Sequence, residues 1–132
     1  TSFKEDLFQK EQDLDSDTIR IALYTSSANL DANTTAYTAT GEVASGNGYT
    51  TTGEVLTTPV IGTSGTTAYV DFDNPEWASA TFTTAGALIY NDTTAGKNAI
   101  AVLNFGGDFT VTSGTFRIVF PTPGAAGLIR ID

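Results

Sequence analysis

The residues with the most chemical potential in this chain are acidic. Asp71-Phe72-Asp73-Asn74-Pro75-Glu76-Trp77 sets three carboxylates and one amide oxygen within six positions, the hard oxygen donors that a calcium ion takes. The loop departs from the EF-hand pattern, because Pro75 stands where a ligand belongs and the glycine and closing glutamate are missing. A proline turn that closes a strand, with Trp77 covering the core, is the simpler reading, and no metal or cofactor is expected. Tyr37, Tyr49 and Tyr69 offer rings on which a sugar could stack, although packing accounts for them as well. No spacing singles out a glycosidase pair of carboxylates. Asn33-Thr34-Thr35 and Asn91-Asp92-Thr93 match a glycosylation sequon, which carries no weight among 24 threonines. Gly-rich segments lack the lysine and the strand-to-helix context of a phosphate loop.

The chain contains no Cys, His or Met. Thiolate and imidazole metal ligands, a Cys nucleophile and a Ser-His-Asp triad are thereby excluded, and the expectation is a protein that is not an enzyme. Six basic residues stand against fifteen acidic ones, for a formal charge of -9. No nucleic acid and no anionic membrane surface is expected as a partner. The longest apolar runs, residues 85–90 and 99–103, fall far short of the roughly 20 residues of a spanning helix. Residues 1–6 show no apolar signal core, so synthesis in the cytoplasm is expected.

These residues must be held by a sheet. Threonine and glycine dominate while charged residues make up 16%, which favours pleated strands and tight turns. From Thr18 the apolar period is two: Ile19, Ile21 and Leu23 alternate with Arg20, Ala22 and Tyr24, a strand with one buried face. Further strands are predicted at residues 41–45, 54–58, 66–72, 80–84, 87–91, 99–105, 109–113 and 115–120. Turn residues separate them, at Gly46-Asn47-Gly48, Gly62-Thr63-Ser64-Gly65, Asp73-Asn74-Pro75, residues 91–96, Gly106-Gly107 and Ser113-Gly114. The spacing predicts an all-β fold, an antiparallel β-sandwich or jelly roll over residues 18–120. Its core should hold Ile21, Val70, Phe72, Phe82, Ile89, Val102, Phe116 and Ile118. The run Ala99-Ile100-Ala101-Val102-Leu103 is apolar on both faces, so it should be a central strand or meet a partner. Residues 26–40 lack alternation and predict a short helical turn around Asn29 to Asn33.

The two ends differ from the middle. Residues 1–17 carry six of the fifteen acids and predict a short N-terminal helical arm, with a capping box between Ser2 and Glu5. Its apolar set, Phe3, Leu7, Phe8 and Leu14, has no place in the alternating pattern. An extended C-terminal tail, residues 121–132, begins with the Pro/Gly-rich stretch 121–127 and ends in Leu128-Ile129-Arg130-Ile131-Asp132, a strand able to add to a neighbouring sheet edge. These seven apolar residues are the predicted partner contacts, on the argument that both arms need a foreign surface and can be deleted without unfolding the domain.

Residues 17–28, Asp17-Thr18-Ile19-Arg20-Ile21-Ala22-Leu23-Tyr24-Thr25-Ser26-Ser27-Ala28, resemble a group of small structural proteins of tailed bacteriophages. Tyr37-Thr38, Glu42-Val43, Gly48-Tyr49-Thr50, Ala68-Tyr69-Val70-Asp71-Phe72, Trp77-Ala78, Ala80-Thr81-Phe82 and Gly86-Ala87-Leu88-Ile89-Tyr90-Asn91 keep the same order as in that group. The resemblance spans roughly residues 3 to 120 and involves scaffold residues only. It implies a jelly-roll decoration, cement or head-fibre-like virion component, with the major capsid protein and copies of itself as partners. A negatively charged chain is repelled by packed DNA, so the outer head surface is the expected location. The alternative is a tail, fibre or adhesin module that binds a host-surface glycan.

Overall fold

The computed structural model describes residues 1–131. One short helix, α1 (Ser2–Phe8), precedes seven strands: β1 (Ile19–Tyr24), β2 (Glu54–Val55), β3 (Val60–Ser64), β4 (Thr67–Asp71), β5 (Glu76–Asn91), β6 (Ala99–Arg117) and β7 (Ile129–Ile131). They form two antiparallel sheets, ordered β2-β1-β5-β6 and β3-β4-β7. The protein is thus mostly β, and one apolar cluster joins residues of both sheets, as a β-sandwich requires.

The period-two reading of β1 places Ile19, Ile21 and Leu23 in that cluster, together with Ile89, Trp77, Phe72 and Leu14. Its other face is buried too, contrary to the one-faced strand expected. Ala22 and Tyr24 form a second cluster with Leu88, Tyr90 and Ala99, and Ala28, Leu30 and Tyr37 pack over it. The irregular stretch 26–40 is therefore the lid on the second face. It contains no helix; a turn bonded from Thr34 N to Asp31 O stands where one was expected. Of the predicted core, Ile21, Phe72 and Ile89 are buried, while Val70, Phe82, Phe116 and Ile118 pack partly buried on the same cluster. Val102 packs on the second cluster.

Strand boundaries differ from the sequence reading in specific ways. The segments 80–84 and 87–91 are one strand, β5, and the three segments between 99 and 120 are one strand, β6, because irregularities in the ladder break the alternation without ending the pairing. Residues 105–108 of β6, for example, stand opposite Ala85 alone. Residues 41–45 are not a strand; they pair with β1 through the isolated bridge of Tyr24 with Glu42, and Val43 enters the core beside Leu23. β3 ends inside the stretch 62–65 that its glycines, Gly62 and Gly65, mark as a turn in the sequence. Only Gly65 has a positive φ, 60°, and it opens the tight hairpin to β4. Gly62 lies directly across from Tyr69, whose hydroxyl fills the space a Cβ would take. At Gly53 (φ 79°) an added Cβ would sit 1.9 Å from the Ile21 carbonyl oxygen, so only glycine lets β2 approach β1.

Candidate interaction surface

The N-terminal segment begins with Thr1 at the helix N-cap, and no side chain caps it. The Ser2/Glu5 capping box is absent because Ser2 already lies inside the helix. Lys10, at φ 64°, turns the chain back, and Glu11 N bonds to Asp6 O. Asp13 then closes a turn, accepting from Asp15 N, Ser16 N and Ser16 Oγ. Those bonds, led by the Ser16 hydroxyl, hold its carboxyl below the usual range.

A polar anchor ties this segment to the β5–β6 connection. Asn91, fully buried, donates to Gln12 Oε1 (2.9 Å) and Asp17 Oδ2 (2.7 Å), and Asn98 donates to Asp6 Oδ2 at 3.0 Å. Leu14 sits in the main core, and Phe3 packs against it. At the other end, β7 pairs with β4 through Val70↔Ile129, Tyr69↔Arg130 and Ala68↔Ile131, while Leu128 and Ile129 pack on the core. Both ends are docked on their own domain. This corrects the premise that they lack a place on it.

Five of the seven predicted contact residues nevertheless meet. Phe3, Leu7, Leu14, Ile129 and Ile131 surround one small depression of about 110 Å³, together with Ile61, Ala68, Tyr69, Val70 and Arg130. The register explains the convergence, since Ile61, Val70 and Ile129 form one row across β3, β4 and β7, and Ala68 and Ile131 belong to the next. Ile61 and Ile131 remain 53% and 54% exposed, leaving an apolar face open to solvent. Phe8 is 90% exposed on α1 and does not join them, and Leu128 is absorbed by the core. Ile61 was missed by the sequence reading. The signal that finds it is the pair of equal runs, 60–64 and 67–71, on either side of Gly65-Thr66.

The other candidates are spoken for by the fold. In the acidic loop, Asp73 Oδ2 accepts from Thr58 Oγ1 (2.7 Å), Asn74 Oδ1 accepts from Phe120 N (2.7 Å), and Glu76 lies 3.5 Å from Arg117 in an exposed ion pair. Asp71 is buried and accepts from Phe72 N through Oδ1. Its Oδ2 and the Trp77 indole nitrogen find no hydrogen-bond partner among the described residues. The four candidate oxygens thus point to four separate places, and no group of three or more ligand side chains forms among the described residues.

The tyrosines do not form a sugar platform. Tyr49 is buried, Tyr37 stacks on Tyr90 with ring centroids 4.8 Å apart, and Tyr69 lines the apolar depression. Tyr37 and Tyr49 both donate to the Glu42 carboxylate at 2.5 Å, Tyr24 donates to Thr38 O, and Tyr90 donates to Thr52 O. The first two bonds brace the 36–52 segment internally, and the Tyr24 and Tyr90 bonds pin it to β1 and β5. Burial, reinforced by the Glu42 charge, pushes the Tyr24, Tyr37 and Tyr49 hydroxyls well above their ordinary value. Burial and the Asp92 charge push Tyr90 up to about 12. Asp92 itself is bonded by Lys97 and, at 2.8 Å, by Arg20, and its carboxyl is lowered by them despite its burial. Asn91 of the second sequon is fully buried and closed to modification.

No family model matches this chain, and neither a curated protein nor a solved structure resembles it.

Proposed function

We propose that this chain is a non-catalytic structural protein of a tailed-bacteriophage virion, a decoration or cement protein that bridges major capsid subunits on the outer head surface. In this reading its two sheets are a sandwich of the jelly-roll type. The observation that carries the proposal is the open apolar face where α1, β3, β4 and β7 meet, on a chain whose charge is -9. A small rigid scaffold with such a face adds buried area between shell subunits and needs no active site. The negative charge suits the outside of a DNA-filled shell. A glycan-binding tail or fibre module has less to stand on, because Tyr49 is buried and Tyr37 stacks on Tyr90, which leaves Tyr69 as a single partly exposed ring.

The test is co-sedimentation of the purified chain with assembled, undecorated heads. Ile61→Asp and Ile131→Asp alter exposed side chains and should leave the fold intact while weakening head binding roughly tenfold or more. Unchanged binding by both variants, or no binding by the parent chain, overturns the proposal.

A further inference from the structure

The turn between Gly46 and Tyr49 is the one place in the chain where an asparagine precedes a glycine. Gly46 and Tyr49 form an antiparallel bridge bonded in both directions, Gly46 N to Tyr49 O at 2.8 Å and Tyr49 N to Gly46 O at 3.1 Å. Between them Asn47 (φ 53°) and Gly48 (φ 88°) take the two positive dihedrals of a type I′ hairpin turn. Both are exposed. Neither the Asn47 side chain nor the Gly48 N–H has a hydrogen-bond partner among the described residues. One side of the turn rests on β5: Thr81 N donates to Asn47 O at 2.9 Å, and a Cβ at Gly48 would lie 2.8 Å from Ala80 Cα and from Ser79 O.

The other asparagines are held or hindered. Asn91 is buried, Asn98 donates to Asp6, and Asn104 accepts from Gly106 N. Asn74 precedes Pro75, which has no N–H. Asn29 and Asn33 precede Leu30 and Thr34, whose side chains crowd the backbone nitrogen, and Thr34 N is bonded to Asp31 O.

We propose that Asn47 is a site of spontaneous deamidation, and that its isoaspartyl product releases the 46–49 hairpin from β5. The claim does not depend on the virion reading. Solvent base takes the Gly48 amide proton, and the nitrogen attacks Asn47 Cγ. The new C–N bond closes a succinimide ring as the Cγ–Nδ2 bond breaks and ammonia leaves. Glycine matters at 48 because no side chain shields its nitrogen. The two bonds between Gly46 and Tyr49 restrain the turn, so the reaction proceeds through its local opening. Water then opens the ring at either carbonyl. Breaking the bond from nitrogen to Cγ leaves aspartate. Breaking the bond from nitrogen to the Asn47 backbone carbonyl carbon leaves a chain that runs through the side chain, one methylene longer, with the former carbonyl as a free carboxylate. That carbonyl is the group that holds Thr81 N, and the close approach of Gly48 to Ala80 has no room for added backbone.

The experiment incubates the intact chain in mildly alkaline buffer and follows all seven asparagines by mass spectrometry, with Asn47 read from the peptide 43–54 cut after Glu42 and Glu54. Thr81 amide exchange is read by NMR in the converted chains and in Asn47→Asp, which adds the charge without lengthening the backbone. Asn47 should convert roughly tenfold or more faster than any other asparagine, mostly to isoaspartate, and Thr81 exchange should rise by a similar factor in the converted chains alone. Conversion at Asn47 no faster than at Asn29 or Asn33 overturns the site. Thr81 exchange unchanged in the converted chains, or raised equally in Asn47→Asp, overturns the release of the hairpin by the longer backbone.

Discussion

β1 and β6 flank the same strand, β5, and meet opposite fates. Every residue of β1 except Arg20 is buried, with strands on both sides and an apolar cluster on each face. In β6 only Ala99 is buried, and much of the strand beyond Asn104 is exposed. Neither propensity nor hydropathy separates Ile19-Arg20-Ile21-Ala22-Leu23-Tyr24 from Ala99-Ile100-Ala101-Val102-Leu103. What separates them is what the rest of the chain does: residues 26–40 close over the second face of β1, whereas beyond the bridge of Ala36 with Asn98 no second strand pairs with β6 among the described residues. The molecule therefore has a closed half that holds the fold and a more exposed half around β6.

The largest expected effect breaks the closed half. Leu88→Ala removes a fully buried side chain and should cost about 2–5 kcal/mol in denaturant unfolding, and Gly53→Ala should be comparably damaging because its Cβ meets the Ile21 carbonyl. A change at an exposed side chain of the other sheet, such as Ile61→Ala on β3, should stay within about 0.5 kcal/mol. A loss below about 1 kcal/mol for Leu88→Ala would erase the contrast.

Next comes the anchor of the N-terminal segment. Asn91→Ala removes the two bonds its amide donates, to Gln12 and Asp17, and the two its carbonyl accepts, from Thr93 N and Thr94 N, for an expected cost of about 1–3 kcal/mol. Proteolysis near residues 9–17 should accelerate. Stability equal to that of the parent would mean that the arm is held by Leu14 and Phe3 alone.

A smaller and more gradual effect is expected with alkali. A free tyrosine ionises near 10, whereas Tyr24, Tyr37, Tyr49 and Tyr90 are all raised in the fold, Tyr90 to about 12. Above pH ~10 the unfolded chain releases protons that the folded chain retains, so stability is full below that pH and falls as pH rises toward the folded values. The slope should exceed that of a single proton, and Tyr24→Phe should make it shallower. A flat stability profile between pH 9 and 11 contradicts the arrangement.

The smallest effect on folding, and the sharpest contrast with function, belongs to the open face. Ile131→Asp should change the melting midpoint by no more than a few degrees, on the order of a surface substitution, while co-sedimentation with heads is lost.

Much of the closed half was legible in the residues themselves. Alternation in 19–24 and 87–91 is preserved because each side chain has a fixed layer to enter, and Phe72 and Ile89 take the expected core positions. The long β5–β6 ribbon was harder to read, since the four residues opposite Ala85 shift the phase of the pattern while backbone pairing continues. β3 was hidden because Gly62 looks like a turn residue until Tyr69 is seen across from it. The apolar residues at the two ends stand out by their misfit with period two, but the depression where five of them meet does not, because it depends on the pairing of β7 with β4 and on the Asn91 anchor. Both are contacts between positions far apart in the chain.

The central claim is that the open face around Ile61 and Ile131 is the surface that meets the capsid. A cryo-EM reconstruction of heads incubated with the chain tests it most directly. The account predicts density on the outside of the shell with α1, β3, β4 and β7 turned toward the capsid subunits. Density confined to the tail, or a head-bound chain that faces the shell with the loop at Asp71 to Trp77, would contradict it.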